Sequence, residues 1–305
     1  MKIRKLALGL LIGALALTAC GKEGSPAAPG GTGGAPAGAD AALTYPVASN
    51  VALTGSTSFD KIKQRGRMVI GIREDQPGLG YKDATTGARS GFDVEIARMV
   101  AAGLGYGDDK IDYKAVPSAA REDTISRGDI DYMVGTYTIN DNRKQRVSFA
   151  GPYFVAGQGL LVRKDETAIT SKDTLKGKKV CSVTGSTPIQ RVKDQGLTEA
   201  SNIVEFQTYS QCVDQLISRQ VDAVTTDDAI LKGYASQQPD DLKVVGDAFS
   251  KEPYGIGLNK DDSALRGKIN DLLQASIDDG TWKKIYDATL GMSGSPATAP
   301  ALQRY

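Results

Sequence analysis

Arginine and hydroxyl residues recur in four segments that each follow a predicted β-strand. These segments begin at Arg73, Pro117, Gly135 and Thr184, and a fifth segment, residues 226–228, adds carboxylates. Hydroxyl groups, guanidinium groups and the free amides at a helix N-terminus are the groups that bind carboxylates. Together the segments predict a pocket for a small ligand with more than one negative charge, and the fifth segment could bind an ammonium group.

Histidine is absent from the 305 residues. This absence excludes Ser-His-Asp and Cys-His catalysis and every imidazole metal ligand. Three cysteines are too few for a four-thiolate zinc site, so we predict neither a metal nor a cofactor. The 37 basic and 36 acidic residues give a net charge of +1, which argues against a nucleic-acid-binding protein that works through bulk charge.

The N-terminus has the pattern of an export signal. Three basic residues precede an apolar run from Leu6 to Leu17, which is shorter than the roughly 20 residues of a membrane-spanning helix. The run ends in Leu-Thr-Ala-Cys, and this ending resembles the bacterial lipobox, whose cysteine is acylated. We expect residues 1–19 to be removed and Cys20 to anchor the protein by lipid on the extracytoplasmic face of the cell membrane. An ordinary signal peptide with an incidental cysteine is the alternative.

Both ends of the remaining chain are expected to lie outside the folded body. Gly, Ala and Pro make up 17 of the 24 residues from 21 to 44. Because such a composition cannot bury a core, we expect a flexible tether over residues 20–57. Residues 293–305 are expected to form a shorter loose tail, which leaves a body from about Ser58 to Met292.

Within the body, short β-rich runs alternate with amphipathic segments. Strands are predicted at Met68–Ile72, Ile111–Val116, Tyr132–Val134, Leu160–Val162, Val180–Val183, Ile203–Phe206 and Ala223–Thr225. Helices are predicted at Phe59–Arg65, Gly91–Leu104, Arg121–Arg127, Pro188–Asp194, Gln211–Arg219, Asp227–Ala235, Ser263–Asp279 and from Thr281 onward. This alternation predicts α/β units with mostly parallel sheets, in which ligands bind beyond the carboxyl ends of the strands.

One run resembles the signature of a known family. Ser90-Gly91-Phe92-Asp93-Val94-Glu95-Ile96-Ala97, with the helix after it, is similar to the signature of solute-binding protein family 3, the polar amino-acid-binding lipoproteins of bacterial ABC importers. The resemblance covers residues 59–290. Further stretches resemble the glutamate-binding members of high-GC Gram-positive bacteria: DQPGLGYKD from Asp75, PSAARED from Pro117, CSVTGSTP from Cys181, TYSQC from Thr208, DAVTTDDAIL from Asp222 and EPYGIGL from Glu252.

The resemblance implies the fold class. We expect an α/β, two-lobed periplasmic-binding-protein-like fold of type II, in which two crossover strands form the hinge and the lobes close over the ligand. The crossings are expected near Pro152–Gly159 and Tyr254–Leu258. Lobe 1 would comprise residues 58–153 and 254–292, and lobe 2 would comprise residues 154–253.

The resemblance also implies roles for ten residues. Arg143 is expected to make a two-pronged contact with the ligand α-carboxylate, with Thr138 and the backbone of Thr136 beside it. Asp227 is expected to bind the α-ammonium group. The residues expected to close lobe 2 over the ligand are Ser186 and Thr187. Those expected at the ligand side chain are Arg73, Ser118, Arg121 and Tyr209.

The charges of these residues favour L-glutamate or L-aspartate. Each ligand has two carboxylates and one ammonium group, and the pocket would oppose three arginines to Asp227. An unpartnered buried charge is costly, so two arginines beyond Arg143 should reject glutamine. The alternative is that Arg73 and Arg121 face water or pair with a neighbouring acid: Glu74, Asp75 or Glu122.

Cys181 and Cys212 are expected to form a disulfide, because a remaining pair in an exported protein is usually oxidised. A bridge of this span would contribute roughly 3–4 kcal/mol to stability. Two buried free thiols are the alternative.

The expected function is binding without chemistry. A monomeric extracellular receptor would capture glutamate by lobe closure and deliver it to a membrane permease. The ATPase would be a separate cytoplasmic chain, because no phosphate-binding Gly-x-x-x-x-Gly-Lys-Ser/Thr motif is present. Two alternatives share the fold: an exported enzyme of the cyclohexadienyl-dehydratase type, with Asp227 or Glu74 as the acid–base group, and an amino-acid sensor.

Overall fold

Residues 43–291 and 298–304 are described by the computed structural model of the chain. The expected signal peptide and the lipidation site at Cys20 lie outside these residues.

Strands and helices alternate along the described residues. The strands are β1 (Met68–Ile72), β2 (Asp75–Gln76), β3 (Gly80–Lys82), β4 (Arg89–Ser90), β5 (Ile111–Ala115), β6 (Tyr132–Val134), β7 (Val147–Ala156), β8 (Gln158–Arg163), β9 (Val180–Val183), β10 (Ile203–Phe206), β11 (Ala223–Asp227), β12 (Leu242–Val245) and β13 (Glu252–Asn259). The helices are α1 (Thr57–Arg65), α2 (Phe92–Gly103), α3 (Arg121–Ser126), α4 (Asp141–Lys144), α5 (Thr187–Asp194), α6 (Tyr209–Ile217), α7 (Asp228–Gln237), α8 (Ser263–Asp278) and α9 (Thr281–Thr289).

Two five-stranded sheets form the cores of two lobes. The first sheet has the order β5-β1-β6-β13-β7 and the second has the order β10-β9-β11-β8-β12, while β2, β3 and β4 form a small separate sheet. The chain leaves the first sheet at the end of β7 and enters the second at β8, with Gly157 between them, and it returns through β13. The α/β fold with two lobes and two crossing strands is therefore confirmed.

The sheets are mixed, whereas the sequence predicted mostly parallel pairing. Strand β1 pairs in parallel with β5 and β6, but β13 runs antiparallel to β6 and β7. In the second sheet, β8 likewise runs antiparallel to β11 and β12. The crossing strands enter each sheet from the other lobe without a crossover helix, so they need not follow the parallel direction of the βα units.

An aromatic cluster attaches the hinge to the first lobe. The ring of Phe92, at the start of α2, lies 5.8 Å from Trp282 and 6.1 Å from Tyr286, and the last two stack at 5.5 Å. Trp282 Nε1 donates to the carbonyl of Tyr153 in β7 at 2.8 Å. These buried contacts fix helices α2 and α9 against the first hinge strand.

The described parts of the terminal segments pack on the first lobe. Tyr45 donates its hydroxyl to Glu95 in α2 at 2.7 Å, and the backbone of Ala48 donates to Ala102 at 2.9 Å. Near the C-terminus, Leu302 packs against the core and Gln303 donates to the carbonyl of Gly151 at 2.8 Å. These segments differ from the tether and loose tail that their composition suggested, because their few apolar side chains find partly buried positions.

Cys181 and Cys212 form the expected disulfide. It joins β9 to α6, with the two Cα atoms 5.6 Å apart and 31 residues apart in sequence. Both residues are fully buried. The bridge therefore fixes the helix that begins at Tyr209 against strand β9 of the second sheet.

We expect the Cys181→Ser, Cys212→Ser double variant to lose roughly 3 kcal/mol of unfolding free energy, because the unfolded chain regains the entropy of a closed loop. Chemical denaturation of the two proteins without reductant measures the difference. Two free thiols in the intact mass of the unaltered protein would contradict the disulfide.

Candidate functional site

Arg143 lies in the short helix α4, whose N-cap Asn140 accepts the Arg143 backbone N–H at 2.9 Å. Its guanidinium donates to the carbonyl of Thr138 at 2.7 Å and, across the cleft, to the carbonyl of Gly185 at 3.2 Å. Its Nε lies 3.4 Å from Glu122 Oε1. Arg143 thus lies between the lobes and is 8% exposed.

Asp227 ends strand β11 and precedes α7, but it does not cap that helix with its side chain. Its Oδ2 accepts the hydroxyl of Tyr254, on hinge strand β13, at 2.6 Å. Its Oδ1 is buried and has no hydrogen-bond partner among the described residues, and the same holds for the hydroxyl of Thr226. Such unsatisfied buried acceptors are rare unless a ligand completes them.

The environment of Asp227 favours its neutral form in the absence of a cation. Burial, and then the neighbouring carboxylate of Glu252, raise its pKa to about 7, although the hydrogen bond from Tyr254 acts in the opposite direction. Glu252 is itself held by Arg191 at 2.8 Å and by the hydroxyl of Thr187 at 2.8 Å. An ammonium group beside Asp227 would restore the ionised form.

Arg121, at the start of α3, is buried without an acidic partner. Its guanidinium donates to the carbonyls of Ser118 at 3.1 Å and Gly135 at 3.3 Å, and its Cζ lies 4.2 Å from the ring centre of Tyr137. Among the described residues, no carboxylate oxygen lies within 4.0 Å of its nitrogens. Burial, and then the positive charge of Arg143, lower its pKa to about 10.

Arg73, directly after β1, is also buried, but it has an acidic partner. Its Nη2 lies 2.8 Å from Asp75 Oδ1, which is one of the pairings left open by the sequence. It also donates to the carbonyl of Val116 and, across the cleft, to the carbonyl of Gln207, both at 3.2 Å. Its charge is therefore compensated within the protein, and a role at the ligand side chain stays a prediction.

Thr136 is held by a buried network behind the site. Its backbone has a left-handed φ of 44°, which is uncommon for a β-branched residue. The buried carboxylate of Asp93 accepts the Thr136 N–H at 2.9 Å and the hydroxyl of Tyr153 at 2.7 Å. The Thr136 hydroxyl is bonded to Gln76 at 3.1 Å. Asp93, from the signature run, thus holds the loop that leads to Thr138.

The hydroxyl residues of the two lobes meet across the cleft. Thr187 Oγ1 lies 3.5 Å from Thr138 Oγ1. Ser186 caps α5 by accepting the N–H of Ile189 at 3.3 Å. Ser118 is buried at the turn before Arg121 and contacts it through its carbonyl.

Tyr209 is buried at the start of α6, where burial and the nearby carboxylate of Asp227 raise its pKa to about 12. The ten predicted residues therefore lie around one cleft, and Arg73 and Thr136 are bound mainly to the protein itself.

The lobes are closed on each other in this structure. The backbone N–H of Tyr209 donates to Asp75 Oδ2 at 2.7 Å, and the hydroxyl of Tyr234 donates to the Asp75 carbonyl. Gly185, with a left-handed φ of 77°, approaches Ala119 so closely that a Cβ would lie 2.6 Å from its Cα. Only glycine permits this approach of the two lobes.

Sequence reasoning assigned no role to several residues of the site. Glu252 and Tyr254 lie in the stretch EPYGIGL, for which the sequence predicts a family resemblance and a crossing strand but no ligand contact. A carboxylate and a phenol in a hinge strand are nevertheless groups that can bind a ligand. For Asp75 the sequence suggested only an ion pair with Arg73 or Arg121. Tyr137 was passed over because one tyrosine between two threonines has no distinctive pattern.

The described residues contain neither a cluster of metal ligands nor a membrane-spanning helix. Within them, no group of three or more acidic, cysteine or histidine residues could hold a metal ion. Over the same residues, none of the helices has the length and apolar character needed to span a membrane.

Comparison with known proteins agrees with the two-lobed α/β fold. A family model described as bacterial extracellular solute-binding proteins, family 3, matches residues 68–292. The chain is 40% identical over 238 residues to a protein named glutamate-binding protein GluB from Corynebacterium efficiens, covering 75% of this chain and 80% of the relative. It is also 40% identical over 207 residues to a glutamine-binding protein of Geobacillus stearothermophilus, covering 68% and 78%.

Among solved structures, an ancestral arginine-binding protein bound to arginine is 37% identical, with a TM-score of 0.68. The match covers 74% of this chain and 99% of that structure.

Proposed function

The chain belongs to the bacterial extracellular solute-binding proteins, family 3, and we propose that it captures L-glutamate, or L-aspartate, for an ABC importer. In this proposal the lobes close over the amino acid, and the closed protein delivers it to a membrane permease served by a separate ATPase. Residues 58–153 with 254–292, and residues 154–253, would be the two moving lobes. No chemical step is involved.

The observation that supports an acidic ligand is the buried guanidinium of Arg121, which forms no ion pair within the described residues. Arg121 is 2% exposed, and no carboxylate oxygen of the described residues lies within 4.0 Å of its guanidinium nitrogens. A buried charge in this state is costly, and a ligand carboxylate would remove the cost. Arg121 would therefore bind the side-chain carboxylate of glutamate, whereas the uncharged amide of glutamine would leave the cost in place.

The amino-acid end of the ligand would be held between the lobes. Arg143 would bind the α-carboxylate with the hydroxyl of Thr138, and Asp227 would bind the α-ammonium through the oxygen that lacks a partner. The remaining ligand contacts are proposed for Ser118, Thr136, Ser186, Thr187 and Tyr209.

L-Glutamine is a second candidate ligand. The ion pair between Arg73 and Asp75 removes one of the three positive charges that the sequence suggested. The relative from Geobacillus stearothermophilus, similar to this chain at the same identity, is named for glutamine. Glutamine binding would require Arg121 to remain without a counter-ion in the complex, which makes glutamate the better fit.

Calorimetric titration of the full-length protein with glutamate, aspartate, glutamine and asparagine tests the proposal. We expect an acidic amino acid to bind most tightly and to be recovered unchanged from the complex. Equal or tighter binding of glutamine would overturn the acidic ligand, and recovery of a dehydrated product would support an enzyme instead.

We expect ligand affinity to fall as pH is lowered below about 7. The pKa of Asp227 is raised to about 7, so below that pH the group is protonated in the free protein and must lose its proton to bind the ammonium group. The dissociation constant should then rise by about tenfold per pH unit. Titrations at several pH values measure the slope, and titrations in two buffers of different ionisation enthalpy measure the released proton.

Asp93 provides the control for this assignment. Burial raises its pKa to about 6, so it titrates in a similar range while it contacts Thr136 rather than the ammonium position. The Asp93→Asn variant should keep the pH slope if Asp227 is responsible. Loss of the slope in that variant would transfer the effect to Asp93.

Membrane anchoring at Cys20 is part of the proposal. In the Cys20→Ser variant we expect the protein to lose its acyl chains and to pass from the membrane fraction into the medium, because more than one chain is needed for stable anchoring. Fractionation followed by immunoblotting measures the distribution. Retention of the variant in the membrane fraction would contradict lipid anchoring at this residue.

A further inference from the structure

The two buried arginines at the ligand side-chain end are stabilised in different ways. Arg73 has a carboxylate partner in Asp75 at 2.8 Å, whereas Arg121 has an aromatic ring in Tyr137 at 4.2 Å. A carboxylate occupies the N–H donors of a guanidinium. A ring stabilises the cation through its face and leaves the in-plane donors to other acceptors.

Tyr137 is fixed in place on several sides. It is fully buried, its ring meets that of Phe149 at 4.8 Å in an edge-on arrangement, and a Cβ on Gly257 would lie 2.6 Å from its ring. Its hydroxyl donates to Glu122 Oε1 at 2.7 Å. The ring therefore has little freedom to turn away from Arg121.

The same ring also lies near Arg143, whose Cζ is 5.0 Å from its centre. Glu122 is the next residue after Arg121, but it bonds to the Tyr137 hydroxyl and contacts Arg143 Nε. Tyr137 thus contacts both arginines through its ring, and its hydroxyl helps to hold Glu122 toward Arg143.

We propose that Tyr137 is a positioning residue that takes the place of a carboxylate counter-ion for Arg121 and so makes the pocket selective for a second ligand carboxylate. This inference rests on the proposed function. The ring holds the guanidinium in place before the ligand arrives, and such preorganisation improves affinity because no rearrangement is needed on binding. Without the ring, Arg121 would turn toward Glu122 and be neutralised, as Arg73 is by Asp75.

The test compares Tyr137→Leu with Tyr137→Phe in the full-length protein. Phenylalanine keeps the ring and removes only the hydroxyl, whereas leucine removes the aromatic face. We expect the ratio of glutamate to glutamine affinity to fall by roughly tenfold in the leucine variant and to stay near that of the unaltered protein in the phenylalanine variant. Equal ratios in the two variants, whether retained or lost, would overturn the inference.

A second measurement does not depend on whether the Tyr137→Leu variant folds. In the ligand-free, unaltered protein, the side-chain NMR signals of Arg121 should be shifted upfield by the Tyr137 ring, with assignment by their loss in Arg121→Gln. The inference would be overturned if the Arg121 signals had the usual chemical shifts of arginine and changed only when glutamate is added.

The two proposals fail separately. If the unaltered protein binds glutamine as tightly as glutamate, the proposed function is wrong. If it prefers glutamate and the leucine variant keeps that preference, only the role of Tyr137 is wrong.

Discussion

Asp227→Asn is expected to lose ligand binding and, at the same time, to stabilise the ligand-free protein. Asparagine keeps the shape of the side chain but offers no negative charge to the ammonium group. Breaking a buried ion pair by removing one partner costs about 3–5 kcal/mol, which corresponds to a rise of at least about a hundredfold in the dissociation constant. Calorimetric titration with glutamate measures this loss.

The gain in stability follows from the direction of the pKa shift. The pKa of Asp227 is raised from 3.8 to about 7 on folding, so the ionised carboxylate opposes folding at pH 8. This penalty shrinks as pH falls through 7 and is absent below 3.8, the unfolded value. Thermal unfolding should therefore show the variant more stable by a few kcal/mol at pH 8, with a smaller difference at pH 5.

Asp228→Asn is the matched control for that variant. Asp228 is the next residue, is partly exposed and pairs with Lys232 at 2.9 Å. Because it lacks the buried, unsatisfied oxygen of Asp227, its change to asparagine should leave glutamate affinity within about threefold. A ligand-free Asp227→Asn protein that is less stable at pH 8 would contradict the account.

Arg143→Ala is expected to abolish binding of every amino acid, whatever its side chain. The guanidinium faces the cleft from the first lobe, contacts Gly185 of the second and is proposed to bind the α-carboxylate that all amino acids share. Loss of a two-pronged, buried charge contact should raise each dissociation constant by at least about a hundredfold. Titrations with glutamate and glutamine should therefore weaken together.

Arg146→Ala is the control for this prediction, and Arg121→Gln separates the role of Arg121 from that of Arg143. Arg146 is exposed and pairs with Asp123 at the surface, so its removal should leave binding unchanged. Arg121→Gln should weaken glutamate and spare glutamine. If Arg143→Ala spared glutamine while Arg121→Gln abolished both ligands, the two roles would have been exchanged.

The fold could be predicted largely from local patterns. The β-branched runs that became β1, β6, β9 and β10 were placed with their observed bounds. Strand β12 and the small sheet of β2 to β4 were missed. Strand β12 is a mostly half-buried edge strand, and β2 to β4 are short, polar segments without the apolar run that marked β6. The antiparallel direction of β13 was missed because it depends on how the chain returns between lobes.

The position of Arg143 shows a second limit of prediction from local sequence patterns. It lies in α4, which has four residues and was interpreted only as a loop. A helix this short has no hydrophobic face, so its existence depends on the Asn140 cap and on tertiary contacts. The residue was found through the family resemblance rather than through the pattern.

The sequence could not decide which arginine an acid would neutralise. Arg73 and Asp75 lie on either side of a bend at Glu74, and this turn of the backbone brings their side chains to 2.8 Å. Arg121 and Glu122 are adjacent in a helix, where neighbours point about 100° apart, so Glu122 contacts Arg143 and Tyr137 instead. Both arginines have acids beside them in sequence, and only the backbone conformation separates them.

The attachment of residues 43–53 to helix α2 has a mechanical consequence. Tyr45 and Ala48 bond to the first lobe alone, so tension applied through the N-terminal chain would act on that lobe alone. The second lobe could then rotate without stretching the connection. Such a force would do no work as the cleft opens or closes. The equilibrium between the open and closed states would therefore be independent of the tension in the N-terminal chain.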